Sequence, residues 1–284
     1  MIKIVFSDID GTFLTPDSKV SPVTAAVVKK LLAKDIPLVL VSARMPEAIY
    51  PLTDAIGIKI PIISYSGALA LTETGEELGS VTMAGADTAR LLKVLTEEYS
   101  DAVVNYYAGH HWYVKDVTNE RVQTEVRITS AQPQNASFEE RLAAGEVPHK
   151  ILLMAEPELC ERAERELSDR FPMFHVVRSA AFLLEIMDAS VSKASGIEVM
   201  LKHFGFRAEE SLSFGDNYND TEMLALTGRS VAMGNAPDDI KKLATDITAS
   251  NAEDGLAKFL EQEIFASCEE GMLCPKCFGK VNLS

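Results

Sequence analysis

The chain has 284 residues, 47% hydrophobic and 24% charged, which is ordinary for a soluble globular protein and long enough for two domains with a sizeable core. Its 27 basic residues against 42 acidic ones give a net charge of −15, so most of the surface repels nucleic acid and anionic lipid, and an anionic ligand needs a local positive site. No apolar run approaches the ~18 residues of a spanning helix, and the N-terminus runs straight into a strand; we expect no membrane span, no signal peptide and a cytoplasmic protein.

The apolar run Ile2-Lys3-Ile4-Val5-Phe6-Ser7 predicts a strand buried on both faces, and Asp8-Ile9-Asp10-Gly11-Thr12 follows it directly. Two carboxylates therefore stand at the C-terminal edge of a strand, where open α/β sheets keep their ligands. Ser21-Pro22 is an N-cap followed by proline at the first helical position, predicting a helix to about Lys34. Pro37 to Val41 predicts a second buried strand, ending on Ser42-Ala43-Arg44. A helix from about Pro46 to Ile56 and a third strand, Pro61 to Ser64, complete two β-α-β units and imply a parallel sheet.

From about Met83 the pattern changes to amphipathic helices (Asp87 to Tyr99, Glu156 to Arg170) between strands at Val103–Tyr107, Trp112–Val114, Lys150–Ala155 and Leu183–Met187. Ser137-Phe138-Glu139-Glu140 has the spacing of a capping box and predicts a short helix. The α/β pattern resumes with a helix from Lys193 to about Phe204 and the strand Ser211–Phe214, which leads into Gly215-Asp216-Asn217-Tyr218-Asn219-Asp220. Short strands follow near Arg229–Ala232 and Asp246–Thr248. The expected architecture is a doubly wound, Rossmann-like α/β core over 1–82 and 188–265, split by an α+β insert at 83–187, with a tail at 266–284.

The topology brings Asp8 and Asp10, Ser42 with Arg44, Lys193, and Asp216 with Asn219 and Asp220 to one crevice. Carboxylates gathered so closely do not all stay ionised unless a cation joins them, and hard oxygen ligands favour Mg²⁺. A carboxylate nucleophile can accept a phosphoryl group while Mg²⁺ and a lysine ammonium neutralise its oxygens. A second carboxylate two residues on can give and take the proton. Lys193 stands at a helix start, where the dipole favours anions, so its placement asks for a functional reason. Asp220 also suits an N-cap.

Asp-x-Asp-Gly-Thr, the serine of Leu-Val-Leu-Val-Ser-Ala-Arg, Lys193 and Gly-Asp-x-x-Asn-Asp resemble, in order and strand context, the four motifs of the haloacid dehalogenase superfamily. Ser192-Lys193-Ala194-Ser195-Gly196, Met233-Gly234-Asn235-Ala236, Ser250-Asn251-Ala252-Glu253-Asp254-Gly255 and the position of the insert are similar to its Cof-type branch, subclass IIB. The resemblance implies a Mg²⁺-dependent phosphatase of small phosphorylated metabolites, with the insert as a cap over the site. It implies that Asp8 attacks phosphorus and that Asp10 protonates the leaving oxygen and then activates water. Ser42, Lys193, Asn219 and backbone N–H groups near Asp10 and Ala43 would hold the phosphoryl oxygens, with Arg44 beside them. Asp8, the Asp10 carbonyl and Asp216 would bind the metal, and Asp220 would hold a metal water or orient Lys193.

The chain departs from the family twice. Thr-Gly-Arg is replaced by Ser42-Ala43-Arg44, which keeps the hydroxyl but narrows backbone freedom at Ala43. Asn-Gly-Ala is replaced by Ser66-Gly67-Ala68, removing an amide that would face the substrate. A phosphomutase of the same superfamily is the alternative, and a phospho-acceptor signalling domain a further one; Asp10 and the long insert argue against the second.

Within the insert, His110-His111-Trp112 reads as a strand end with a half-buried ring rather than a metal site. Arg178 is expected to pass close to the crevice, whereas Glu185 and Asp188 read as solvated loop carboxylates. Cys274-Pro275-Lys276-Cys277 with Cys268 supplies at most three thiolates and no histidine, short of a structural zinc site, so the tail reads as reduced and unmetallated. The oligomeric state is not legible.

Overall fold

The structure is a computed structural model and describes residues 1–266; Cys268, Cys274 and Cys277 lie outside the described residues. The chain begins with β1 (Ile4–Asp8), α1 (Pro22–Leu32), β2 (Leu38–Val41), α2 (Pro46–Asp54) and β3 (Ile62–Ser64). A hairpin of β4 (Leu69–Leu71) and β5 (Glu77–Ser80) follows, and then α3 (Gly85–Glu98). Next come β6 (Val103–Ala108), β7 (His111–Val114), α4 (Glu120–Thr129), β8 (Gln134–Asn135), α5 (Phe138–Ala143), β9 (Lys150–Met154) and α6 (Pro157–Arg170). After β10 (Phe174–Ala180) and β11 (Leu183–Asp188), the chain runs through α7 (Lys193–Phe204), β12 (Ser211–Gly215), α8 (Thr221–Leu226) and β13 (Arg229–Ala232). It ends with α9 (Asp238–Leu243), β14 (Asp246–Ile247) and α10 (Gly255–Leu260).

The strands form two sheets among the described residues. One has the order β14-β13-β12-β1-β2-β3-β4-β5, parallel from β14 to β3 and closed by the antiparallel hairpin β4–β5. The other has the order β10-β11-β9-β6-β7-β8 and is antiparallel except for its last pair. The doubly wound α/β fold expected from the sequence is present. The hairpin β4–β5 and strand β10 are additions to the sequence reading, since their short or half-polar runs carry no clear period.

Central β1 is buried at every position because both of its faces are covered. Val5 joins one apolar cluster with Leu38, Leu40, Leu212 and Phe214, while Ile4 and Phe6 join another with Val39, Val41 and Ile63. Helix starts follow the predicted caps: Ser21 Oγ accepts from Thr24 N at 3.0 Å, with Pro22 in the first turn, and Ser137 Oγ accepts from Glu140 N at 3.2 Å. Helices α3 and α6 cover one face of the second sheet, where Leu91, Leu95 and Leu167 meet Tyr106, Ile151, Leu153 and Ile186. The opposite face, with Tyr107, Leu152 and Met154, joins the cluster built on Val5 and so turns toward the first sheet. Period-two alternation puts Lys150 on that same inward face.

Candidate active site

The site lies where the parallel strands of the first sheet end. Asp8, the last residue of β1, is 6% exposed. Beyond it the backbone makes a wide turn closed by Leu14 N donating to Ile9 O at 3.0 Å. Gly11 takes φ +87° in this turn, and a β-carbon there would stand 2.3 Å from Asp216 Oδ2, so only glycine lets the two loops meet. Thr12 Oγ1 donates to Asp216 Oδ1 at 2.8 Å, and Asn235 Nδ2 donates to Gly11 O at 2.9 Å and to Asp216 Oδ2 at 3.3 Å. The loops after β1, β12 and β13 are thereby tied into one frame.

Lys193 opens α7 behind its cap, Ser192, and is 2% exposed. Its Nζ donates to Asp8 Oδ1 at 2.5 Å and to Asp220 Oδ1 at 2.6 Å. The second oxygen of Asp220 accepts from Asp216 N at 2.9 Å and Asn217 N at 3.0 Å, so this buried carboxylate fixes both the lysine and its own loop. The helix start reaches the site because Gly67, at φ +117°, has no side chain: a β-carbon would lie 1.9 Å from Ser192 O.

Ser42 directly follows β2 and is buried; its N donates to Ile63 O at 2.9 Å, and its Oγ accepts from Arg44 N at 3.2 Å. Ala43 lies outside the left-handed region, so its methyl group adds no backbone strain. The strain sits instead at Tyr65 and Ser66, both with positive φ (51° and 55°), the second being the position of the departure Ser66-Gly67-Ala68. Arg44 grips the Asp10 carboxylate as a fork, Nε to Oδ2 at 2.9 Å and Nη2 to Oδ1 at 2.7 Å. Asn219 is exposed and faces the same cleft as Asp8, Asp10, Ser42 and Arg44.

The electrostatics follow from three carboxylates around a single ammonium. Burial alone would lower the pKa of Lys193, but Asp8 and Asp220 outweigh it and hold the ammonium charged, with its pKa raised. Burial raises the Asp8 pKa well above the usual carboxylate range; Lys193 opposes this, while Asp220 and Asp216 add to it. Asp216 is pushed up to about 6, chiefly by burial, with Asp220 and Asp10 adding and the Thr12 hydrogen bond opposing. Asp8, Asp216 and Asp220 offer ligand atoms within 4.8 Å of one another. A hard divalent cation fits this donor set, because it removes the charge surplus that burial penalises. Asp220 spends both oxygens on Lys193 and two N–H groups at 3.0 Å or less, whereas Asp216 Oδ2 has only the longer 3.3 Å contact with Asn235 and Asp8 Oδ2 has none among the described residues.

The cleft above these groups has a volume of about 350 Å³. Its far wall comes from the second sheet and α4 and includes Tyr107, Trp112, Glu125, Lys150 and Glu185. The structure departs from the sequence reading at Glu185, Asp188 and Arg178. Glu185 is no loop residue; it lies within β11, 7% exposed, because it stands opposite Leu152 and faces inward beside Lys150, its diagonal neighbour. Asp188 ends the same strand, half-buried, and accepts from Ser190 N and Oγ. Arg178 points away from the cleft, its N and Nε both bound to Glu164 on α6, and Ser179 lines the cleft in its place. His110 Nδ1 pairs with Glu47 on α2 at 2.6 Å, and Trp112 is the member of the His-His-Trp run that reaches the cleft.

The sequence reading assigns no role to Thr12, Asn235, Glu125 or Lys150. Asn235 has a signal in Met233-Gly234-Asn235-Ala236, and Lys150 has one as a charged residue opening an otherwise apolar strand. No helix among the described residues is long and apolar enough to cross a membrane.

The family profile of the haloacid dehalogenase-like hydrolases matches residues 5–260. The chain is 39% identical over 263 residues to a Haemophilus influenzae protein named as a phosphatase, covering 93% of this chain and 98% of that one. It is 26% identical over 249 residues to the HMP-PP phosphatase of Serratia proteamaculans, covering 86% of this chain and 88% of that one. The crystal structure of a haloacid dehalogenase-like hydrolase from Bacteroides thetaiotaomicron superposes with a TM-score of 0.85 at 26% identity, over 93% of this chain and 100% of that one. With its motif residues gathered at the strand ends of the matching fold, the chain belongs to the haloacid dehalogenase-like hydrolase family.

Proposed function

We propose that this hydrolase is a cytoplasmic, Mg²⁺-dependent phosphatase of small phosphorylated metabolites that works through an aspartyl-phosphate on Asp8. The observation that carries the reading is the pairing of Asp8: Oδ1 accepts from Lys193, while Oδ2 has no hydrogen-bond donor among the described residues, beside the cleft. A buried carboxylate held by one oxygen and open at the other is oriented for attack.

Asp8 Oδ2 bonds to phosphorus as the P–O bond to the alcohol breaks, and the Asp10 carboxyl gives its proton to the departing oxygen. The Asp10 carboxylate then takes a proton from a water, whose oxygen bonds to phosphorus and displaces Asp8, releasing inorganic phosphate. For either transfer Asp10 leaves the fork of Arg44, which frees the guanidinium for a phosphoryl oxygen. Lys193, the Ser42 hydroxyl, Asn219 and backbone N–H groups at Asp10 and Ala43 hold the remaining charge. Mg²⁺ held by Asp8, the Asp10 carbonyl and Asp216 would supply electrostatic stabilisation of the transferring group. The inserted block, 83–187, serves as the cap that excludes water. The name of the Serratia relative supports a small phosphorylated compound as the substrate class.

Asp8→Asn is expected to lose at least ~10⁴-fold in kcat on p-nitrophenyl phosphate, since an amide is a poor nucleophile. Retained turnover would remove Asp8 from the mechanism. EDTA should abolish wild-type activity and Mg²⁺ restore it, with Ca²⁺ a poor substitute; activity indifferent to chelation overturns the metal requirement.

A further inference from the structure

The cap wall carries ionisable groups that the phosphoryl chemistry does not use. Lys150 and Glu185 face inward from adjacent strands, 5% and 7% exposed. Lys150 Nζ donates to Ala43 O at 2.6 Å, lies 3.6 Å from Glu185 Oε2 and stands 5.3 Å from the centre of the Tyr107 ring. Its charge is thus committed: turning it to a ligand would strip the Ala43 carbonyl of its donor and leave Glu185 buried without a cation. The Glu185 carboxylate accepts no hydrogen bond among the described residues, and neither does the carboxylate of Glu125, half-buried on α4, whose backbone carbonyl accepts from Thr129 Oγ1. Burial raises the Glu125 pKa against the pull of Lys150 and Arg44. At the rim, Ile128 and Phe182 are 59% and 50% exposed beside Glu125 and form an apolar edge.

Two carboxylates with spare acceptor capacity therefore face the cleft from a wall whose own cation, Lys150, is already engaged by protein groups. The two carboxylates of this wall accept hydrogen bonds from a ligand and repel a further anion. We infer that Glu125 and Glu185 form a leaving-group subsite that selects phosphomonoesters of cationic or donor-rich neutral alcohols and rejects alcohols bearing a second anionic group. The inference rests on the phosphatase reading and narrows its substrate class. The apolar rim accommodates the carbon face of a sugar or a heterocyclic ring, and the donors of that ring point inward to Glu125 and Glu185. Phosphate itself meets Lys193 and Arg44 on the core side, so the two ends of a substrate are sorted by charge.

Three six-carbon phosphate esters of different charge provide the test: glucosamine 6-phosphate, a ring bearing an ammonium, glucose 6-phosphate, a ring bearing only hydroxyls, and 6-phosphogluconate, an open chain ending in a carboxylate. With the full chain and Mg²⁺, kcat/KM should fall in that order, the amine exceeding the acid by on the order of 30-fold. Glu125→Gln should shrink the amine-to-acid ratio at least about fivefold, and Glu125→Lys should invert it. Each ratio is taken within one protein, so a general loss of turnover or folded fraction in a variant cancels. Equal use of 6-phosphogluconate and glucosamine 6-phosphate by the wild type, or a ratio unmoved by both variants, overturns the subsite. Failure of the wild type on all three esters and on p-nitrophenyl phosphate overturns the phosphatase reading itself, and is thereby distinguished.

Discussion

The two walls of the cleft are built on opposite rules. On the core side, Lys193 is shared between Asp8 and Asp220, the second Asp220 oxygen takes two N–H groups, and Thr12 and Asn235 hold Asp216. On the cap side, Lys150 is the cation facing Glu185, and the Glu125 carboxylate is left without a hydrogen bond among the described residues. Saturated networks are rigid because each group is fixed by several others, whereas an unsaturated wall keeps capacity for a ligand. The contrast separates where chemistry is preorganised from where a molecule is recognised.

The sharpest way to break the contrast is to remove the shared cation. Lys193→Met leaves Asp8 and Asp220 buried against each other and should destabilise the fold by ~3–5 kcal/mol in urea unfolding. Protonation relieves buried carboxylates, so the loss should be larger at pH 8 than at pH 5. An unchanged urea midpoint would mean that the core network does not hold the site together.

A contact between the two sheets titrates. His149 is 5% exposed, accepts from Gly109 N at Nδ1 (3.0 Å) and pairs through Nε2 with Ser80 Oγ (2.9 Å), which fixes it as neutral. Burial pushes its pKa down to about 4, with the charge of His110 adding. A histidine whose folded pKa is depressed stabilises the protein above its ordinary pKa near 6.5, and that contribution is lost as pH falls toward 4. The decline should reach about 3 kcal/mol, read as a falling urea midpoint between those pH values. His149→Gln should flatten this segment of the profile, and an identical decline in the variant would assign the acid sensitivity elsewhere.

The smallest effect is expected on the cap wall. Lys150→Met deprives the Ala43 carbonyl and Glu185 of their partner, but both border the open cleft, so the cost should stay near ~1–3 kcal/mol. A loss as large as that of Lys193→Met would erase the distinction between the walls.

The core side was legible in the sequence because strand ends are fixed by topology. Asp8, Ser42, Lys193 and Asp216 each follow or precede a run whose period announces it, and a parallel sheet leaves such ends only one crevice to share. The cap side was not. The contact of Lys150 with Ala43 spans 107 residues and depends on how two sheets face each other, which no local period encodes. Glu185 was misread for the same reason: a carboxylate in an apolar run looks solvated until its strand is seen to face an ammonium. Arg178 failed in the reverse sense, since its neighbour Glu164 on α6 claims it from the outer face.

The two sheets are joined by only two short stretches, one between Ser80 and Gly85 and the other between Asp188 and Lys193. Any rotation of one sheet against the other turns about the line through these stretches. The second of them ends on Lys193 itself, pinned by Ser192 against Gly67. The ammonium therefore sits beside the axle, where a turning body travels least. A rotation that shifts the wall carrying Glu125 can therefore leave the grip of Lys193 on Asp8 in place.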